Sequence, residues 1–216
     1  MGVPAYLRFV NRRLGGELAA VGFAVHLSPN HLTAVSAALS ALGIAAIALV
    51  APTVGLAVGV TVALLAGYAF DSADGQLSRV RGDGKASGEW LDHVVDVVKT
   101  SSLHAAVLIS LYRFGDLAAD GWLLVPIGFS IVSITLFFAL MLRDKLGGRP
   151  GGGRDGRGSA AHAFVLLPVD YGTLCLVMLT LAAPQAFLVT YTALFAFTLA
   201  FTARSLVKTY RGLAAA

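Results

Sequence analysis

Apolar residues gather into six long blocks, each near the roughly 20 residues that a membrane-crossing helix needs. The blocks run from 31 to 50, 54 to 78, 88 to 112, 119 to 142, 163 to 182 and 186 to 207. Local signals mark two of their borders. Ser28 is placed to N-cap the first block, with Pro29 in its first turn. Pro184 separates the last two blocks, because proline cannot continue a helix from within. Residues 1–27 carry a different pattern: Leu7, Val10, Leu14, Leu18 and Val21 recur at helical spacing, with Arg8, Arg12 and Arg13 between them. That spacing predicts an amphipathic helix lying on a membrane surface, basic on its polar side; a partly ordered leader is the competing reading. No clean apolar core with a small-residue cleavage site follows these arginines, so no cleavable signal peptide is expected. The pattern as a whole predicts an all-α membrane protein, with six transmembrane helices preceded by an N-terminal amphipathic surface helix. The chain reads as a single domain over 1–216 and shows no internal repeat.

Composition agrees with the pattern. The chain is 57% hydrophobic and 13% charged, against about 25% charged in an average soluble domain. Its mean hydropathy is +0.78. With the N-terminus in the cytoplasm, 14 of the 16 lysines and arginines fall on cytoplasmic pieces. The positive-inside rule therefore predicts a multi-pass protein of the cell membrane with both termini cytoplasmic. The net charge of +4 then reads as bias toward the membrane face rather than as a nucleic-acid signal. The stretch 146–162, dominated by glycine and arginine, is expected to be a flexible cytoplasmic loop. The single cysteine, Cys175, can form no internal disulfide and reads as a small packing residue.

One stretch breaks the apolar pattern. "DSADGQLSRVRGDGKASGEWLDHVVD", residues 71–96, holds six of the twelve acidic residues of the chain. Asp71 and Asp74 are three apart near the end of the second block and share a helix face. Asp92 and Asp96 are four apart near the start of the third block and share another. Asp71 lies about 12 Å back from Arg79, and Asp96 about 12 Å in from Gly88, at 1.5 Å per residue. The two pairs thus reach similar depths on consecutive helices. Asp83 and Glu89 are explained as solvated charges flanking the loop. The deeper four are not, because charges within a span are costly and are usually paired and functional. Lys99 can offset one of them. Divalent cations such as Mg²⁺ or Mn²⁺ would offset the rest, and such ions bind carboxylates together with substrate phosphates. Two of them a few ångströms apart can clamp a phosphoryl group. Gly75 would let a ligand approach the backbone, and Arg79 is a candidate phosphate contact. Lys85 reads as a loop charge within reach of a phosphate.

These residues resemble a known family signature. The order Asp71-x2-Asp74-Gly75-x2-Ser78-Arg79-x8-Gly88-x3-Asp92-x3-Asp96 is similar to the D-x2-D-G-x2-A-R-x8-G-x3-D-x3-D signature of the CDP-alcohol phosphotransferases. Only Ser78 departs from it, standing where the family has alanine, and nucleotide affinity is the property this departure bears on. The resemblance implies that Asp71, Asp74, Asp92 and Asp96 hold two divalent metals, Mg²⁺ or Mn²⁺, and that Asp96 is also the general base. It implies a CDP-linked donor along Gly75, Ser78, Arg79, Lys85 and Gly88. "PNHLT" is similar to a segment that family members carry near the nucleotide, which adds Asn30 and Thr33 to the donor contacts. A homodimer is implied as well. "LDHVVD" resembles the "DHGCD" segment of the choline and ethanolamine phosphotransferases. His93 is expected to face a neighbouring helix, because adjacent helix positions diverge. His26, His31, His104 and His162 lack metal-ligand spacing and read as structural or interfacial.

The expected function is metal-dependent transfer of a substituted phosphate, above all phosphatidyl, from a CDP-alcohol such as CDP-diacylglycerol to an acceptor alcohol. CMP is released, and the product belongs to phospholipid biosynthesis. Lys99, Arg143 and Arg204 are the candidate acceptor contacts; for the two arginines, ordinary positive-inside charge is the competing reading. Two other functions remain open at this point. One is transfer of a CDP-linked head group to a lipid acceptor. The other is a divalent-cation transporter built on the same carboxylates, against which stand the missing repeat and the one-sided placement of the acids.

Overall fold

The computed structural model describes residues 3–82, 84–115, 117, 119–146 and 160–214. Asp83 and all but the ends of the glycine- and arginine-rich stretch 146–162 lie outside these residues. Every described element is helical. A π-helical turn, Leu7–Asn11, runs directly into α1, Arg12–Ala24. Then come α2, Pro29–Leu49; α3, Val54–Arg81; α4, Ala86–Phe114; and α5, Leu124–Leu146, which a 3₁₀ turn over Asp120–Leu123 precedes. The chain closes with α6, Ala160–Val165; α7, Tyr171–Val177; and α8, Pro184–Ala214.

Among the described residues, five helical stretches are long and apolar enough to cross a membrane: Pro29–Leu49, Val54–Arg81, Ala86–Phe114, Asp120–Leu146 and Pro184–Ala214. The block 163–182 differs from expectation, because it is not one continuous helix. α6 stops at Val165, and Pro168 sits in a 3₁₀ turn over Leu167–Val169. Proline has no N–H for the helical ladder and clashes with the carbonyl of the preceding turn. The chain restarts as α7, N-capped by Asp170, whose Oδ1 accepts from the Gly172 N–H at 2.9 Å. With the 3₁₀ turn Met178–Ala182 behind it, α7 forms a shorter apolar stretch, Tyr171–Ala182.

Sequence explains the helix ends. Ser28 caps α2: its Oγ accepts from the His31 N–H, and His31 Nδ1 accepts from the Ser28 N–H, both at 3.3 Å. This is a capping box with histidine in the reciprocal position. Thr53 caps α3 by accepting from the Leu56 N–H at 3.1 Å. α3 ends at Gly82, whose φ of 65° is the left-handed conformation that glycine adopts without penalty.

α3 is the spine of the fold, packed by α2 on one side and α1 on another. Small residues set these contacts. A Cβ on Gly67 would lie 2.5 Å from Ser40 Oγ, and one on Gly15 would lie 2.6 Å from Ser72 Oγ. Such close backbone approach is how helices pack tightly where lipid supplies no hydrophobic drive. Polar bonds secure α1 further. Asn11 Nδ2 donates to the Tyr68 carbonyl at 3.1 Å, and Gln76 Nε2 donates to the Arg12 carbonyl at 3.0 Å. The face of this N-terminal segment that packs on the protein is formed by Asn11, Gly15, Ala19 and Gly22, all buried. Val10, Leu14 and Val21, three members of the apolar stripe, point outward and are exposed.

The main apolar core joins α3, α4, α7 and α8 through Leu64, Leu103, Val107, Leu174 and Tyr191. Within it, His104 bonds Tyr191 Oη at 2.6 Å and Ser133 Oγ at 3.3 Å. Its ring also packs 4.3 Å from that of Phe129. His104 is thus a structural residue linking α4, α5 and α8.

Candidate active site

The acidic residues lie on α3 and α4 near the connection between those helices. Helical geometry puts Asp71 one turn deeper than Asp74 on α3, and Asp96 one turn deeper than Asp92 on α4. Lys99 joins the deep members. Its Nζ lies 2.9 Å from Asp71 Oδ1 and 2.7 Å from Asp96 Oδ1, so one ammonium bridges the two helices. Lys99 is only 6% exposed and sits over the Tyr171 ring, 5.3 Å from its centroid. At the shallow end, Asp74 is buried, and its Oδ2 accepts from the Thr33 hydroxyl of α2 at 2.5 Å. The four carboxylates therefore sit on two helices, with α2 holding one of them and α4 supplying the counter-charge.

This donor set suits a divalent cation. Asp71 and Asp96 each give one oxygen to Lys99, which leaves each a second oxygen for a hard cation, and Asp74 gives Oδ2 to Thr33. Asp92, His93 and Asp96 each offer a ligand atom within 4.8 Å of the others. His93 was not among the metal candidates. Its ring edge packs on Phe137 of α5, with centroids 5.7 Å apart, so it does face a neighbouring helix. Yet its Nδ1 lies 3.8 Å from Asp92 Oδ2 and has no hydrogen-bond partner. Adjacency to Asp92 is the sequence signal for this contact, although neighbouring helix positions diverge.

The remaining candidates group around this cluster to different degrees. The Arg79 guanidinium folds back over Gly75, where an added Cβ would lie 3.5 Å from Nη1. A Cβ on Gly88 would lie 3.6 Å from Asn30 Oδ1, so Asn30 of α2 stands beside the start of α4. Ser78 Oγ faces the α3–α4 connection at Gly84. Lys85 is the N-cap residue of α4 and is exposed. Thr33 is buried and spends its proton on Asp74. Two of the candidate acceptor contacts lie on other helices: Arg143 at the end of α5 is bonded by Nη2 to Asp144 at 2.6 Å, and Arg204 on α8 is exposed.

A second junction borders the cluster through Tyr171. Asp170 accepts from the Leu7 N–H at 2.8 Å and lies 3.4 Å from the Tyr68 hydroxyl. The rings of Tyr6, Tyr68 and Tyr171 pack in series, 6.2 Å and 5.2 Å apart. Sequence reasoning missed this junction, which ties the N-terminal segment to the broken span.

Comparison with known proteins places this geometry. The profile of the CDP-alcohol phosphatidyltransferases matches residues 26–204, which span α2 to α8 and include all four aspartates. The fold is similar to that of phosphatidylinositol phosphate synthase from Mycobacterium tuberculosis, solved in complex with manganese and citrate. That likeness has a TM-score of 0.64 at 16% identity, and covers 91% of this chain and 88% of the other. No curated protein matches the sequence significantly. The chain belongs to the CDP-alcohol phosphatidyltransferase family, and is a membrane phosphotransferase of phospholipid biosynthesis.

Proposed function

We propose that the protein transfers phosphatidyl from CDP-diacylglycerol to an acceptor alcohol and releases CMP. The observation that carries this reading is the convergence of two aspartate pairs from α3 and α4, joined through Lys99 at their deep ends. In this reading Asp71, Asp74, Asp92 and Asp96 hold two divalent cations, Mg²⁺ or Mn²⁺. When bound, these ions stabilise charge on the transferring phosphoryl and on the departing CMP. The Thr33 hydroxyl holds Asp74 in place for this task.

Asp96 is the general base. It takes the proton of the acceptor hydroxyl as that oxygen attacks the phosphorus carrying the lipid, and the bond to the CMP oxygen breaks. Arg79, folded over Gly75, contacts the donor phosphates. Asn30, Gly88, Ser78 and Lys85 border the same end of α3 and α4 and accommodate the nucleotide, with Thr33 reaching it through Asp74. Arg143 and Arg204 receive the acceptor, each toward the end of a long helix. The site opens to the cytoplasm of the cell membrane, and the exposed Val10, Leu14 and Val21 stripe rests the N-terminal helix on that surface. Two copies associate as a homodimer.

Purified protein given radiolabelled CDP-diacylglycerol and Mn²⁺ should release CMP only when an acceptor alcohol is added. Glycerol phosphate, an inositol phosphate, inositol and serine form the first panel. CMP release from CDP-choline with diacylglycerol instead would reassign the donor. Failure with every donor, together with metal flux in liposomes, would replace the enzyme reading by a transporter.

A further inference from the structure

Lys99 is the one lysine or arginine in direct contact with the four carboxylates among the described residues, and its surroundings decide what it can do. An ammonium has three donors. Two are spent, on Asp71 Oδ1 of α3 and on Asp96 Oδ1 of its own helix. Its remaining side faces the Tyr171 ring. At 6% exposed, on the deep side of the cluster, it has little surface to offer a water-soluble acceptor. Both bonds are made to one oxygen of a carboxylate, so each fixes which oxygen remains for other work. They also supply one of the two positive charges that the deep carboxylates would otherwise need from a metal or a proton.

We propose that Lys99 is a positioning residue: it bridges Asp71 and Asp96 across α3 and α4, keeping these carboxylates assembled and oriented independently of bound metal. It acts through the aspartates and does not touch the substrate. The inference rests on the reading of Asp96 as general base only for its effect on turnover. Its effect on metal-free assembly stands on the ion pairs alone.

The test uses the full chain in detergent, with Lys99→Met and Lys99→Arg compared with the parent protein. Without metal, Lys99→Met should melt at a lower temperature, and Mn²⁺ should raise its melting temperature more than it raises that of the parent. The added ion then replaces the lost counter-charge. Its kcat for CMP release should fall by about 10–100-fold, the range seen when a residue supporting metal ligands is removed. Its acceptor KM should stay within about threefold. Lys99→Arg keeps a cation with paired donors and should recover most of both properties. A raised acceptor KM with unchanged kcat would overturn the proposal in favour of a direct acceptor contact. A lower melting temperature with unchanged kcat and an unchanged Mn²⁺ response would overturn it in favour of a plain structural ion pair. If Lys99→Met does not fold, Lys99→Gln takes its place under the same criteria, since a neutral amide supplies no counter-charge. Normal turnover by Asp96→Asn would remove the base reading, and the Mn²⁺ response alone would then decide whether the bridge holds.

Discussion

The Thr33 hydroxyl donates to Asp74 Oδ2 at 2.5 Å, joining α2 to α3 beside the candidate metal site. The Pro29 carbonyl lies 3.2 Å from the same hydroxyl, so Asp74 is the nearer of two acceptors for one proton. Thr33→Val keeps the shape and removes the donor, leaving a buried carboxylate less well satisfied. The expected cost is about 1–3 kcal/mol of stability, together with a higher Mn²⁺ requirement for CMP release. Thr33→Ser should retain both. Thermal unfolding and initial rates against Mn²⁺ concentration would check this, and parent-like behaviour of Thr33→Val would show that the bond is idle.

Asp96→Asn preserves volume and can still bond through its amide oxygen, but it cannot serve as a base. CMP release should fall by about 10²–10⁴-fold, the range attributed to general acid–base groups. The protein should still extract and elute as the parent does. Turnover near the parent rate would take the base role away from Asp96.

Metal removal offers a separate check on the carboxylate cluster. EDTA should abolish CMP release, and Mn²⁺ or Mg²⁺ added in excess should restore it. Activity that survives exhaustive chelation would contradict the assignment of Asp71, Asp74, Asp92 and Asp96 as ligands.

The junction at the restart of the broken span makes a prediction about packing. A Cβ on Gly172 would fall against the Tyr6 ring. Gly172→Ala should therefore destabilise by about 1–3 kcal/mol, the usual cost of overpacking. Tyr6→Leu removes the obstructing ring, so the penalty of Gly172→Ala should shrink in that background. A double-mutant cycle measured by thermal unfolding isolates this coupling. Additive effects would mean that Tyr6 is not the obstacle.

Much of the architecture was legible because lipid-compatible helices announce themselves by length. The blocks 31–50, 54–78, 88–112, 119–142 and 186–207 all coincide closely with long helical stretches. The block 163–182 has the same apolar content, yet Pro168 and the Asp170 cap divide it. Hydropathy counts side chains, whereas this break is made by a missing N–H and a local carboxylate bond. The N-terminal stripe was legible for its periodicity but silent about its packing. The face that meets α3 consists of Asn11, Gly15, Ala19 and Gly22, which allow close approach rather than apolar burial. In the site, helical spacing paired Asp71 with Asp74 and Asp92 with Asp96. The bonds Thr33–Asp74 and Lys99–Asp71 join residues far apart in the chain, and no local period encodes them. Lys99, a candidate acceptor contact by sequence, pairs in the structure with Asp71 and Asp96, and the Asp71 contact lies beyond any helical spacing.

The glycine seams along α3 bear on how the site is held. Ser40 and Ser36 close on Gly67 from α2, while Ser72 and Gln76 of α3 close on Gly15 of α1. With backbones this near, α3 has no slack to slide or roll, and Asp71 and Asp74 are in effect the fixed jaw of a vice. The second jaw is α4, packed on α2 and α5 and joined to the first at its deep end through the Lys99 ammonium. A side chain added at Gly15 or Gly67 would therefore push on the whole spine and shift Asp71 and Asp74 together.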